Sequence, residues 1–164
     1  MTRCFIALGS NLGNRLSHLR GALSQLRTLP GTAIAAASPL YENPAVGPGT
    51  QPDYLNAVVE LYSDLPSQVL LTALQRIEAT QGRVREQRWG ARTLDLDLLL
   101  FGDETLHTPT LHVPHPRMLQ RNFVLYALYD LAPDLLLPDG TTLRSDLDSC
   151  SSAGLIRSAL TLQE

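Results

Sequence analysis

Apolar and polar positions divide the chain into segments of two periods. Residues 3–8 are an apolar run, the pattern of a buried strand. After the turn Gly9-Ser10-Asn11-Leu12-Gly13, Asn14 is placed to cap a helix. Leu16, Leu19, Leu23 and Leu26 recur there at helical spacing, and Pro30-Gly31 ends it. Residues 32–37 read as a second strand. Residues 54–62 alternate, with Leu55, Ala57, Val59 and Leu61 on one face and Tyr54, Asn56 and Val58 on the other. A helix over 66–81 follows, with Pro66 near its first turn, Leu70, Leu74 and Ile77 as its buried stripe, and Gly82 just past its end. Gln75 and Glu78 fall on a neighbouring face, which by default is a solvated one.

From Leu94 the chain alternates and then turns wholly apolar, the pattern of a strand running from solvent into a core. Asp95 and Asp97 share one face, with Leu99 and Phe101 next inward; Leu94, Leu96, Leu98 and Leu100 share the other. Residues 121–132 form a last helix. The order β-α-β-β-α-β predicts a ferredoxin-like α+β fold: an α/β sandwich with a mainly antiparallel sheet, helices packed on it and extra elements at the C-terminus. Residues 1–164 are expected to form one domain, with the stretch 146–164 unassigned.

Composition narrows the chemistry. The hydrophobic share of 44% and charged share of 18% are those of a globular protein. A net charge of −3 gives no general attraction to nucleic acid. All thirteen basic residues are Arg, so a Walker-A lysine, a kinase strand lysine and a Schiff-base lysine are excluded together. Cys4 and Cys150 have no metal-ligand spacing, and no apolar run reaches the length of a membrane span. A cytoplasmic location and a monomer are the expectations.

The candidate chemistry lies around the acidic strand. Asp95 and Asp97, with Cα atoms roughly 6.6 Å apart on a strand, repel each other unless a cation neutralises them. Magnesium suits this role, since it takes one or two carboxylates and leaves other positions to water and phosphate. Arg83, Arg85, Arg88 and Arg92 precede them within ten residues, and guanidinium forks bind phosphate. An arginine loop running into an acidic strand mouth fits a polyphosphate with divalent metal. The plain alternative is a solvated loop before an edge strand with two surface acids. The stretch 43–53, with three prolines and two glycines, is long enough to be a binding loop or lid. Tyr54 beside Asn56 could stack on a flat heterocycle and read its edge, or simply face solvent. Asp146 and Asp148 repeat the acidic spacing without strand or arginine loop and are set aside.

With those residues on the page, the chain resembles the 6-hydroxymethyl-7,8-dihydropterin pyrophosphokinase family from about residue 3 to about residue 145. The most specific match is Arg88-Trp89-Gly90-Ala91-Arg92-Thr93-Leu94-Asp95-Leu96-Asp97. Supporting matches are Gly9-Ser10-Asn11-Leu12, Gly47-Pro48, the stretch 51–56, Gln75 to Glu78, Gly82 to Arg85, Val113-Pro114-His115, and Arg121 with Phe123. The resemblance implies transfer of the β,γ-diphosphate of ATP to the pterin's hydroxymethyl oxygen, in folate biosynthesis. It implies that Asp95 and Asp97 hold two Mg2+ ions and that Arg83 and Arg92 are catalytic loop arginines. It assigns Gln75, Glu78, Arg85, Trp89, Leu98, His115 and Arg121 to ATP. It assigns Asn43, Pro44, Ala45, Val46, Tyr54, Asn56 and Phe123 to the pterin. Thr110, Pro116 and Asn43 depart from the family pattern, which bears on nucleotide affinity and not on the reaction. Two other readings are a metal-dependent phosphohydrolase or nucleotidyltransferase, and a ferredoxin-like RNA-binding module with Tyr54 and Phe123 as stacking residues. Paired carboxylates in the groove argue against the second. No nucleic-acid or membrane partner is expected.

Overall fold

The structure is a computed structural model that describes residues 1–45, 49–82 and 93–163. Its centre is a sheet whose strands run β5, β1, β4, β3, β8, with β2 also pairing with β4, every pair antiparallel. The strands are β1 (Thr2–Ser10), β2 (Thr32–Ala37), β3 (Tyr41–Asn43), β4 (Tyr54–Ser63), β5 (Asp95–Phe101), the short β6 (Leu106–His107) and β7 (His112–Val113), and β8 (Ile156–Arg157). The helices are α1 (Arg15–Arg27), α2 (Ser67–Thr80), α3 (Asn122–Leu131) and α4 (Leu143–Asp148), with a 3-10 turn at Met118–Gln120. Strands β5, β1, β4 and β2 reproduce the ferredoxin-like order, so the predicted fold class is the observed one.

Local chemistry explains the main elements. Asn14 Oδ1 accepts from the Ser17 backbone N–H at 3.1 Å, which caps α1 as its sequence position requires. Leu19, Leu23 and Leu26 then face the sheet, fully buried. Helix α2 starts after Pro66, buries Leu70, Leu74 and Ile77, and ends before Gly82, whose φ of 78° only glycine adopts easily. Alternation in β4 sends Leu55, Ala57, Val59 and Leu61 to the core beneath α1 and α2, and Val58 to a second core beneath α3 and α4.

Strand β5 departs from simple alternation. Its pairing with β1 shifts between Phe5 and Ile6: Ile6 lies opposite Leu98, but Phe5 lies opposite Leu100. Leu99 is the extra residue of a β-bulge. Leu99 and Leu100 therefore both join the core under α3, and Phe101 crosses to the core under α1 and α2. The expected faces of Leu100 and Phe101 are thus reversed. Four consecutive apolar residues carry no phase, so a bulge among them leaves no trace in the pattern.

The C-terminal stretch also gains a place. β8 pairs with β3, Tyr41 opposite Arg157 and Glu42 opposite Ile156, and Ser158 N–H donates to the Leu40 carbonyl at 2.8 Å. Tyr41 donates its hydroxyl to the Asp130 carboxylate, and burial pushes that phenol upward from its ordinary range, with Asp130 adding to the shift. Strand β3 is thereby tied to α3 as well as to β4.

Candidate active site

The ends of β1, β4 and β5 open onto one cavity of about 900 Å³. It is floored by Ala7, Leu8 and Gly9 of β1 and by Asn56 of β4. Asp95 and Asp97 enter from β5, and His115, Arg117, Gln120, Arg121, Asn122 and Phe123 from the approach to α3 and its first turn. Asn43, Pro44 and Tyr54 complete one side, and Cys150 and Ser151 arrive from the C-terminal stretch. A space of this size falls within the range of small-molecule binding sites.

The acidic pair sits where the sheet loses its cover. Asp95 lies opposite Gly9 and Asp97 opposite Ala7, so small residues on β1 leave the space above the carboxylates open. The Asp97 side chain is 37% exposed. Arg121 Nη1 lies 3.5 Å from its Oδ2 and His115 Nε2 lies 3.9 Å from its Oδ1. Both distances exceed the about 2.7–2.9 Å of a tight charge-assisted bond, so neither contact saturates the carboxylate. His115 is oriented by its own loop. Its Nδ1 accepts the Arg117 N–H at 3.2 Å, which puts the ring proton on Nε2, toward Asp97. Its backbone N–H donates to the Leu99 carbonyl at 2.9 Å, anchoring the loop to the bulge in β5. Burial lowers the affinity of the His115 imidazole for a second proton, Arg121 and Arg117 add to that, and Asp97 opposes it.

The carboxylates also have a support behind them. Glu78 of α2 is 4% exposed, and its Oε2 accepts the backbone N–H of Leu96 at 2.9 Å. Leu96 stands between the two aspartates on the strand's outer edge, so the bond fixes the backbone that carries both. The solvated helix face expected for Glu78 is not what forms; only Gln75 is exposed there. An unpaired N–H at a buried strand edge is unfavourable, and a carboxylate from the neighbouring helix satisfies it.

On the other side, Tyr54 and Phe123 are half-buried ring walls, and the nearly buried Asn56 side chain donates through Nδ2 to Asn43 Oδ1. Asn43 Nδ2 donates in turn to the Pro44 carbonyl at 3.1 Å. The Asn56 amide is therefore held in one orientation. Gly9 makes this wall possible. A Cβ there would lie 2.8 Å from Asn56 Oδ1 and 3.5 Å from the Tyr54 ring.

Sequence comparison now bears on this geometry. Residues 5–133 match the family described as 7,8-dihydro-6-hydroxymethylpterin-pyrophosphokinase. The chain belongs to that family. It is 50% identical over 155 residues to the 2-amino-4-hydroxy-6-hydroxymethyldihydropteridine pyrophosphokinase of Pseudomonas aeruginosa, covering 94% of this chain and 96% of that one. The enzyme of the same name from Methylorubrum extorquens is 38% identical over 157 residues, covering 96% and 99%. Among solved structures, an HPPK-DHPS crystal structure with substrates superposes with a TM-score of 0.70 at 13% identity, over 90% of this chain. A Plasmodium falciparum HPPK-DHPS superposes with a TM-score of 0.68 at 15% identity, over 91% of this chain. This chain spans 43% of each of those longer chains, and the likeness speaks to the fold.

Of the residues that the family resemblance singled out, Asp95, Asp97, His115, Arg121, Asn43, Pro44, Tyr54, Asn56 and Phe123 come together around the cavity. Gln75 is exposed on α2, Ala45 is half-buried beside Pro44, and neither lines the cavity. The Leu98 side chain is 3% exposed in the core under α1 and α2. Arg83, Arg85, Trp89, Arg92 and Val46 lie outside the described residues. Thr110 donates to Gln68 Oε1 at 3.1 Å, away from the cavity. Sequence reasoning missed Gly9, Arg117, Gln120, Asn122, Cys150 and Ser151 as lining residues. For Gly9 the motif was visible but read as turn geometry. For Cys150 and Ser151 nothing local marks them, because their place depends on a strand pairing more than a hundred residues away.

Proposed function

We propose that the chain transfers the β,γ-diphosphate of ATP to the hydroxymethyl oxygen of 6-hydroxymethyl-7,8-dihydropterin, releasing AMP and the pterin diphosphate, a step of folate biosynthesis. The observation that carries the reading is the shared cavity. One space receives a carboxylate pair, Arg117 and Arg121, and a wall of two rings with a fixed amide. Family membership supports this reaction over hydrolysis and over RNA binding.

The donor set fits magnesium. Asp95 and Asp97 offer hard carboxylate oxygens in a half-open position, and among the described lining residues Cys150 alone is a soft ligand. These two residues would hold two Mg2+ ions, which supply charge neutralisation for the polyphosphate and polarise the attacking hydroxyl. The chain's own part is positioning, since phosphoryl-type transfer asks little covalent chemistry of a protein. Tyr54 and Phe123 stack the pterin, and Asn56, oriented by Asn43, reads its hydrogen-bonding edge. Arg121 and His115 bind phosphate oxygens beside Asp97. Arg83 and Arg92 meet charge developing in transfer, and Arg85 and Trp89 contact ATP, as the family resemblance implies. Glu78 acts through Leu96 on the aspartates.

The test is nucleotide product analysis by ion-exchange chromatography, with ATP and magnesium, with and without the pterin. AMP and a diphosphorylated pterin, formed only when the pterin is present, are the expected products. ADP would make the protein an ordinary kinase, and pterin-independent turnover a hydrolase; either result overturns the proposal.

A further inference from the structure

The hairpin after β5 carries chemistry outside the cavity. β6 and β7 pair with Leu106 opposite Val113 and His107 opposite His112. Leu106 and Val113 pack into the core under α1 and α2. That fixes the register, because a slip of one residue would send the apolar pair to solvent. The turn is tied as well. Leu111 N–H donates to Thr108 Oγ1 at 2.9 Å, and Thr108 N–H donates to the Leu111 carbonyl at 2.9 Å. The two imidazoles are thus held side by side on the exposed side of the hairpin by packing elsewhere.

Their geometry is specific. The ring centroids are 5.7 Å apart, the planes are tilted by 52°, and the two Nδ1 atoms are 3.4 Å apart. Hydrogen bonds donated by N–H usually span about 2.7–3.2 Å, so this pair is a loose one. Two nitrogens each about 2.0–2.1 Å from one tetrahedral ion lie about 3.3–3.4 Å apart. The observed separation matches a shared ion better than a shared proton.

We propose that His107 and His112 form a two-imidazole site for a zinc-class divalent ion, its coordination completed by water. Binding needs both Nδ1 atoms unprotonated, with the ring protons on Nε2, and the ion replaces the loose N–H···N contact. Imidazole favours zinc, copper and nickel over magnesium, so this site and the carboxylate pair select different ions. Two protein ligands, where structural zinc sites have four, make the ion exchangeable. When bound it links β6 to β7 and stabilises the folded hairpin by mass action.

The experiment is a calorimetric titration of zinc into the full chain in excess magnesium, which occupies hard carboxylate sites, with imidazole nitrogen NMR alongside. One zinc per chain is expected, moving the Nδ1 resonances of His107 and His112 and leaving those of His18 and His115 in place. His107→Ala and His112→Ala should each weaken binding by about tenfold or more, because a lone imidazole cannot chelate. Equal zinc binding in wild type and both variants overturns the site, and so does a loss confined to one variant. Should a substitution disturb the hairpin, the wild-type spectra decide alone: zinc that shifts His18 or His115 and not the pair refutes the proposal.

Discussion

The two faces of the sheet are finished differently. Beneath α1 and α2, the inward residues of β1, β4 and β5 are apolar and shut from solvent along their whole length, among them Ile6, Leu8, Leu55, Val59, Leu61, Leu96, Leu98 and Phe101. Beneath α3 the same strands bury Phe5, Val58 and Leu99, and then, a few residues on, present Tyr54, Asn56, Asp95 and Asp97 to the cavity. Helix α3 is ten residues long and covers only part of the sheet. Where its cover ends, side chains that packing would exclude become available to ligands. One face supplies stability, and the chemistry collects where the other face is left open.

Substitutions on opposite faces should therefore fail in opposite ways. Asp97→Ala and Asp95→Ala should each lower kcat by about 10³-fold or more, with little change in thermal midpoint, because the carboxylates contribute no core contact. Leu74→Ala, fully buried on α2 against the closed face, should cost about 2–5 kcal/mol in urea unfolding and leave kcat per folded molecule near wild type. Retained turnover in both aspartate variants would remove the metal assignment. A stability loss in them as large as that of Leu74→Ala would remove the contrast between the faces.

Glu78 links the two faces and sharpens the comparison. It belongs to the closed side but bonds the backbone between the open side's aspartates. Glu78→Ala leaves the Leu96 N–H without this acceptor, and a loss of about 1.5–3 kcal/mol is expected, together with a higher magnesium requirement. Glu78→Gln keeps an acceptor oxygen and should recover most of both. A variant that raises the KM for ATP alone, at unchanged magnesium dependence, would place Glu78 on the nucleotide instead.

How far the chain could be read follows from the same division. The closed face was legible, because Leu55 to Leu61 alternate and Leu19, Leu23 and Leu26 repeat at helical spacing. The acidic strand mouth was legible too, since Asp95 and Asp97 interrupt an apolar strand. Three things were hidden. The bulge at Leu99 lies in a run with no polar marker, so the faces of Leu100 and Phe101 came out reversed. The buried state of Glu78 contradicts the default for an acid on a helix and depends on an edge N–H that only the assembled sheet presents. Strands β3 and β8, three and two residues long, pair across more than a hundred positions, and no local period announces them.

A smaller effect is expected from the floor of the open face. Gly9→Ala would bring a Cβ to 2.8 Å from Asn56 Oδ1, and the amide must turn or shift away. If Asn56 reads the pterin as proposed, that geometry should suffer while the closed face is untouched. A loss of about 1–3 kcal/mol in kcat/KM for the pterin is expected, with the KM for ATP unchanged. Equal losses for both substrates would mean that the strand itself had moved.

The smallest effect tests whether the C-terminal stretch is part of the open face. Asn122 Nδ2 donates to the carbonyls of Ser151 and Ala153, both at 3.1 Å, and so holds the segment whose Cys150 and Ser151 line the cavity. These bonds are exposed, so Asn122→Ala should cost only about 0.5–1.5 kcal/mol. The loss should be local. Amide exchange at Ser158, whose N–H is held by the Leu40 carbonyl, should quicken, while exchange in β1 stays slow. If the segment forms a wall for substrate, the KM for one substrate should rise by about two- to fivefold at constant kcat, because ordering the wall becomes part of binding. Faster exchange with both KM values unchanged would assign the segment to edge protection of β3, and the cavity would then end at Phe123.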